Sequence, residues 1–430
     1  MRLGKNTRRI TPMFIWGAAL CTVLIFFVPG SAAFAHSNER AFILILPTQY
    51  YIIGGALVVA LSFVVIGLIP AAGFHFMERN RLQLWRWPAW PAKGLSILAG
   101  AFLLCLIVAG YIGDRAPLYN PLPQVLWSLW WIGFTFLHAM FGNIWAYINP
   151  WLGLCSVLTT LPGLRAWREK PPLQYPERLG YAPAIILFFA FAWFELIYPA
   201  PMDPTNLAHA SIVYMGVTLI GMLLFGEDMW LRYGDSFSVF FRMVSWLSPF
   251  TSESTRDGFG KEKRPGLWVL LPGTKLLKTG ALPLSGEAFI FLALASVSFD
   301  GLSRTFWWMG LIGVNPLEHP GRTVLMGVNT LGFLATFAAI VIAFGSAVLL
   351  GRALAKPTGN LHNALTGAAV SIVPIAFGYH LAHYLPAFLV QSQDAVRALS
   401  DSHTPPGGVV PRLGGSRLRI GCSRLSSGSK

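Results

Sequence analysis

Apolar residues in this chain come in long unbroken blocks. They follow neither the three-to-four-residue rhythm of an amphipathic surface helix nor the two-residue alternation of a half-buried strand. Eight such blocks succeed one another after the first 40 residues, near 50–70, 93–113, 124–146, 179–199, 207–226, 285–305, 324–350 and 364–391. A helix needs about 20 consecutive apolar residues to cross a bilayer, so each block predicts a span. Eight helices that are apolar all round cannot share one soluble core in a chain of 430 residues. A β-barrel would instead show alternating segments of about ten residues. The predicted fold class is therefore all-α, a polytopic transmembrane helical bundle of about eight spans.

A ninth apolar block precedes these and has a different form. Arg2, Lys5, Arg8 and Arg9 precede an apolar run from Met13 to Val28; Pro29 and Gly30 break it, and Ala33-Phe34-Ala35 follows. Basic n-region, apolar h-region and A-x-A site together predict a cleavable signal peptide, residues 1–35. Cleavage would place His36 at the new N-terminus, where its α-amino group and imidazole can chelate one metal ion together. It also predicts a bacterial inner (cytoplasmic) membrane with the mature N-terminus in the periplasm.

Composition agrees with the pattern: 54% of residues are hydrophobic and only 12% are charged, against about 25% in soluble domains. The formal charge of +14 resides in loops, where topology explains it without nucleic acid. Arg79, Arg81 and Arg86 occupy the loop near 71–92. Arg165, Arg168, Lys170 and Arg178 occupy 147–178, eight basic residues occupy 227–284, and Arg352 and Lys356 occupy 351–363. The intervening loops carry almost no positive charge, so these alternate loops, 227–284 included, are predicted to be cytoplasmic. RLQLWRWPAW (81–90) is expected in the headgroup plane. DSFSVFFRMVSWLSPF (235–250) reads as interfacial or re-entrant, and 251–284 reads as a mobile loop. No internal repeat is discernible. Cys21, Cys105, Cys155 and Cys422 show no CxxC spacing, so neither a disulfide framework nor a thiolate zinc site follows.

The bundle is predicted to occupy residues 36–401. From Ser402 the chain turns to Gly, Ser and Arg. Six basic residues from Arg397 to Lys430 lie on the side that the orientation rule keeps poor in positive charge. Residues 402–430 are expected to be a disordered basic tail outside the ancestral fold, as a truncation or frameshift would produce.

Ionisable groups inside spans carry the candidate chemistry, because a central charge costs about 2.5–3.5 kcal/mol on insertion scales. They are His138 in FTFLHAMFGN, Glu195 in FAWFELIYP, Asp300 in SVSFDGLSR, and His380 and His383 in GYHLAHYLP, with Asp203 and His209 at the mouth of span five. Helical rise places Glu195, Asp300, His380 and His383 in the outer half of the membrane, and His138 deeper. His380 and His383 are three residues apart and share a helix face; Pro374 upstream predicts a kink. Two imidazoles and one or two carboxylates suit a divalent ion of zinc, manganese, iron or copper type. The candidate metal ligands are His380, His383, Glu195, His36 and His138; the candidate catalytic groups are Glu195 and Asp300. A proton or ion pathway, and plain interhelical hydrogen bonding, remain alternatives. Arg304, four residues after Asp300, is placed to pair with it. Glu227 and Asp228 read as a solvated loop end, and NPWLGL (149–154) and NPLEHP (315–320) as turn starts. Walker A, GxSxG, HExxH and Rossmann glycine patterns are not in the sequence.

Several longer segments carry a resemblance. AHSNERAFILILPT, LQYPERLGYAPA, FAWFELIYP, LFGEDMWLRYGDSFSVFFRMVSWLSPF and SIVPIAFGYHLAHYLPAFLVQSQ together resemble the bacterial multispanning proteins called fenitrothion hydrolases, over residues 36–401. Members of that family continue past the Ser-Asp step at Ser400-Asp401 with a Pro-Phe-Gly stretch, a Gly-Trp-Asp-Leu-Phe-Gly motif and one more span; this chain departs at Ser402. The resemblance implies hydrolysis of an organophosphorus triester at its aryl P–O bond. A bound metal would activate water and polarise the phosphorus centre, and the apolar substrate would reach the site from the lipid bilayer. The alternatives are a transporter or metal-handling protein that uses the intramembrane histidines, and a non-catalytic membrane subunit of a partner enzyme.

Overall fold

In the computed structural model the described residues are the strand Leu82–Arg86, then 92–253, 266–280, 282–315, 321–355 and 359–400, with positions 53, 57 and 61 also helical. The signal peptide, His36, most of the span expected at 50–70, and the tail from 402 lie outside them.

From residue 92 on, the expected apolar blocks are largely helical, and the punctuation of the chain explains where the helices start and stop. The first, α1 (Ala92–Ile112), ends shortly before Asn120. The Asn120 side chain accepts the backbone N–H of Leu122 at 3.0 Å, and Pro121 takes the first helical position. That cap opens α2, a helical run over 121–141. It passes through Pro121–Pro123, widens to π geometry over Gln124–Phe134 and returns to α over Thr135–Phe141. Gly142 ends it at φ +96°, a conformation that a Cβ would disfavour. The Asn-Pro step at 149–150 is a helix start of the same type: Asn149 accepts from Trp151 N at 2.9 Å and opens α3 (Pro150–Leu158). Gly153 of α3 lies so close to the Ser96 backbone that a Cβ has no room there, and the Ser96 hydroxyl donates to Asn149 O. This contact brings the second turn of α1 and the middle of α3 into direct apposition.

The remaining long helices are α4 (Ala182–Leu196), α5 (Pro204–Phe225), α6 (Ser236–Val244), α7 (Leu284–Ser303), α8 (Arg322–Ala355), α9 (Leu361–Val370) and α10 (Ile372–Ser400). Asp203 caps α5 by accepting from Asn206 N at 2.9 Å. Among the described residues five helical segments are long and apolar enough to cross a membrane: Lys93–Ile112, Pro204–Phe225, Leu284–Ser303, Arg322–Leu354 and Leu361–Ser400. α4 is shorter, with 15 residues, and α2 is interrupted by its π segment. The structure is thus mostly helical, as the hydropathy pattern requires.

α7 is the centre of the bundle: 72% of its apolar window is buried, against 17–39% for the other four. It packs against α4, α8, α9 and α10. Around it lies an aromatic core in which Phe188, Phe241, Phe289, Phe299 and Phe333 are completely enclosed. The predicted kink at Pro374 takes another form. The chain breaks at Ser371, between α9 and α10, so Pro374 sits in the first turn of α10, where its missing N–H costs nothing. Pro386 is the proline inside that helix. The turn containing His380, His383 and Tyr384 therefore lies between two prolines.

Parts of the segments 81–90 and 251–284 form strands that the hydropathy pattern does not predict. Leu82–Arg86 (β1), Phe250–Glu253 (β2) and Gly266–Val269 (β3) form an antiparallel sheet in the order β1-β3-β2. Leu82 pairs with Val269, and Phe250 pairs with the same residue from the other side. Backbone pairing in the sheet satisfies polar groups that an unpaired extended segment would leave to water. The sheet adjoins the N-terminal end of α1, and Arg322 marks the opposite end of the bundle.

Candidate functional site

At the Arg322 end three helices each contribute part of one polar cluster. The last turn of α4 supplies Glu195, the fifth turn of α7 supplies Asp300, and the fourth turn of α10 supplies His383 and Tyr384. Asp300 is the hub and is buried. Its Oδ1 accepts from Arg304 Nε at 3.1 Å, the i,i+4 pair that the sequence suggested. Its Oδ2 meets His383 Nε2 at 2.8 Å and accepts from the Tyr384 hydroxyl at 3.1 Å. The same hydroxyl lies 3.3 Å from Glu195 Oε1. A phenol has one proton to donate, so Tyr384 cannot donate fully to both carboxyl groups. The two acids share that proton, or one of them carries its own and donates to the Tyr384 oxygen.

Positive charge encloses the cluster. Arg322, in the first turn of α8, donates to the backbone carbonyls of Glu195 and Tyr198, each at 3.2 Å. It thereby caps the C-terminal end of α4, where a cation is electrostatically favoured, and its charge lies near both Asp300 and Arg304. Trp131 of α2 packs beside Glu195. The Tyr379 ring is parallel to that of His383, with centroids 6.5 Å apart.

The two histidines of GYHLAHYLP part company. His383 joins Asp300. His380 turns into an aromatic surround, with ring centroids of Trp131 at 5.2 Å, Phe136 at 6.0 Å and Tyr384 at 4.6 Å. It touches the cluster only through the Tyr384 ring. His138 lies elsewhere. Its Nδ1 hydrogen-bonds to Phe134 O at 2.6 Å, its Nε2 accepts from Trp145 N at 2.9 Å, and its ring stacks on Phe241 at 4.3 Å. Both ring nitrogens are committed to backbone, so His138 pins the turn after α2 and has no lone pair to offer a metal. At the mouth of α5, Asp203 is a helix cap and His209 meets the Tyr111 ring edge-on at 5.1 Å. Glu227 pairs with Arg168 at 2.8 Å rather than standing in solvent.

Glu195, Asp300 and His383 thus share one network, while His380 borders it and His138 is outside it. No group of three or more His, Cys, Asp or Glu among the described residues has the geometry of a metal centre. Arg304 pairs with Asp300, while Arg322 bonds the backbone carbonyls of Glu195 and Tyr198. Tyr384 and Arg322 were not among the sequence candidates. Tyrosine is common in spans and carries no pattern, and Arg322 reads as a loop charge until α8 is folded back over α4.

A second buried cluster lies towards the sheet end. Asp235 caps α6; it accepts from Ser238 N at 3.0 Å, the Ser238 hydroxyl at 2.5 Å and the Tyr214 hydroxyl at 2.5 Å. Ser238 Oγ in turn accepts from Trp145 Nε1 and Asn149 Nδ2, both at 3.2 Å.

Between α1, α2, α4 and α5 lies a cavity of about 870 Å³, walled by Phe102, Trp127, Trp130, Phe194 and Tyr214 among others. The indole N–H of Trp127 donates to Pro201 O at 3.1 Å, and that of Trp145 to Ser238, so these donors are satisfied by protein. Phe194 lines this cavity, and the next residue, Glu195, belongs to the polar cluster.

Comparison with protein-family models, curated proteins and solved structures finds no match to this chain.

Proposed function

We propose that this is a multi-pass inner-membrane protein that hydrolyses an apolar aryl ester of phosphorus, using the Asp300–His383 pair at the periplasmic end of the bundle. In this reading the chain has eight spans after a cleaved signal peptide, and the Arg322 end faces outward. The observation that carries it is the junction of Asp300 with His383, Tyr384 and Arg304. A carboxylate that holds an imidazole in place is the arrangement used to orient a general base. His383 takes a proton from water, the resulting oxygen forms a bond to phosphorus, and the aryl P–O bond breaks to release a phenolate. Arg304 and Arg322 stabilise the negative charge that gathers on the phosphoryl oxygens. The 870 Å³ cavity falls within the range that holds drug-sized apolar molecules, and it offers such a substrate a place on leaving the bilayer. The resemblance to fenitrothion hydrolases supports the reaction class. The scheme has no metal step.

The test is nitrophenol release from fenitrothion by the purified full chain in lipid nanodiscs. Release by the wild type and its loss in Asp300→Asn and His383→Ala are expected. A wild type that is inert alone, yet active with a co-purified protein, would reassign the chain as a partner subunit. Full activity in both variants would remove the proposed site.

A second reading has its own observation, the Tyr384 hydroxyl between two carboxyl groups. Chains of Asp, Glu and His inside membranes serve as proton relays, and a transporter would need no hydrolysis. Proton uptake into proteoliposomes containing a pH-sensitive dye, slowed by Tyr384→Phe and accompanied by no nitrophenol release, would select it.

A further inference from the structure

A narrow cavity of about 40 Å³ lies between α2, α6, α7 and α10. It runs along α7 from Ser296 to Phe289 and along α10 from His380 to Val373. Those are seven residue steps along each helix, or about 10 Å of axis. Most of its wall is apolar, but Thr135, Ser296, His380 and Trp131 line it as well. Thr135 donates its hydroxyl proton to Trp131 O at 2.6 Å, and Ser296 donates to Ala293 O at 2.9 Å. Each hydroxyl oxygen therefore keeps lone pairs that can accept.

His380 is only 6% exposed, and its Nε2 has no hydrogen-bond partner in the protein; the indole N–H of Trp131 is directed at Glu195. A buried polar group left unsatisfied costs about 1–3 kcal/mol. Such a group on the wall of a cavity calls for a ligand small enough to enter it and able both to donate and to accept. One water needs at least about 10–15 Å³ of such space and two to four polar partners. The cavity supplies room for about three on that scale, and Thr135, Ser296 and His380 as polar partners.

We propose that this cavity is a built hydration site, a short column of water bound to His380 Nε2, Ser296 and Thr135. His380 contacts the Tyr384 ring, so the column adjoins the polar cluster and extends it about 10 Å towards the sheet end of the bundle. The site is independent of whether the cluster hydrolyses esters or relays protons, and it assigns His380 a role other than metal ligation.

Met243 lines the cavity and is 4% exposed; Met222 is 1% exposed and does not line it. X-ray radiolysis of water generates hydroxyl radicals where the water is held, and methionine is oxidised readily. Radiolytic footprinting of the full chain in nanodiscs, without substrate, should oxidise Met243 several-fold faster than Met222. His380→Phe fills the cavity, and Thr135→Val with Ser296→Ala strips its acceptors while keeping its shape. Both variants should reduce the Met243 rate to that of Met222. Equal rates for the two methionines in the wild type would overturn the proposal, with no variant needed. A fast Met243 that neither variant slows would overturn the assignment to His380, Thr135 and Ser296. Neither outcome depends on nitrophenol release, so failure here is separable from failure of the hydrolytic reading.

Discussion

Asp300 and Asp235 are both buried aspartates, and their surroundings are opposite in kind. Asp235 receives only neutral donors: a backbone N–H and two hydroxyl groups, each with its proton already directed at the carboxylate. The Tyr214 hydroxyl also meets Ser236 Oγ at 2.9 Å, and the cluster fixes the start of α6. Asp300 is held by the fixed charge of a guanidinium and is otherwise surrounded by groups that can change state, an imidazole and a phenol shared with a second carboxyl group. The partners of Asp300 allow more than one distribution of protons. A buried acid fully matched by neutral donors stabilises one structure, and a buried acid in a redundant set of titratable partners is suited to exchange.

The contrast can be broken by mutation. Asp235→Ala strands the Tyr214 hydroxyl and the Ser238 donors, and should lower stability by about 3 kcal/mol, read as a fall in the thermal unfolding temperature in detergent. Asp300→Asn should leave that temperature nearly unchanged while nitrophenol release falls about 10²-fold. If Asp235→Ala melts like the wild type, or if Asp300→Asn fails to fold, the two roles have been reversed. Tyr384→Phe removes only the shared hydroxyl; release should drop about tenfold, with chromatographic behaviour intact. Nearer the sheet end, burial and the neighbouring Glu227 push the Cys155 thiol up to about 12. The thiol therefore stays protonated at pH 9, and iodoacetamide should label it only after denaturation. The smallest effect belongs to the exposed Arg165–Glu169 pair: Glu169→Ala should change stability by less than about 0.5 kcal/mol.

How far the sequence could anticipate this differs by feature. Long apolar helices are local, and the blocks expected at 93–113, 207–226 and 285–305 match α1, α5 and α7 to within a few residues. The sheet was illegible because β1 has five residues and its partner lies 187 positions on, from Leu82 to Val269. Glu195, Asp300 and His383 were legible because a charge inside a span is costly and must find company. What the charge pattern could not show was which company: Tyr384 has no signature, and Arg322 reaches the cluster only through the fold of α8. It also could not separate His380 from His383. Shared helical phase puts both on one side, but side-chain direction sends one to Asp300 and the other among rings. His138 looked equivalent to them in sequence, and only the Trp145 N–H and the Phe134 carbonyl identify it as a backbone clamp.

The position of β3 between β1 and β2 sets the order in which this molecule can be built. As the chain leaves the ribosome, Leu82–Arg86 appears first and must wait while the helices α1 to α6 are synthesised. Pairing β1 early is impossible, because the middle strand does not yet exist. Until Gly266–Val269 arrives, the first strand offers an open edge to any extended segment nearby, and closure of the sheet joins the early and late parts of the chain in a single late step.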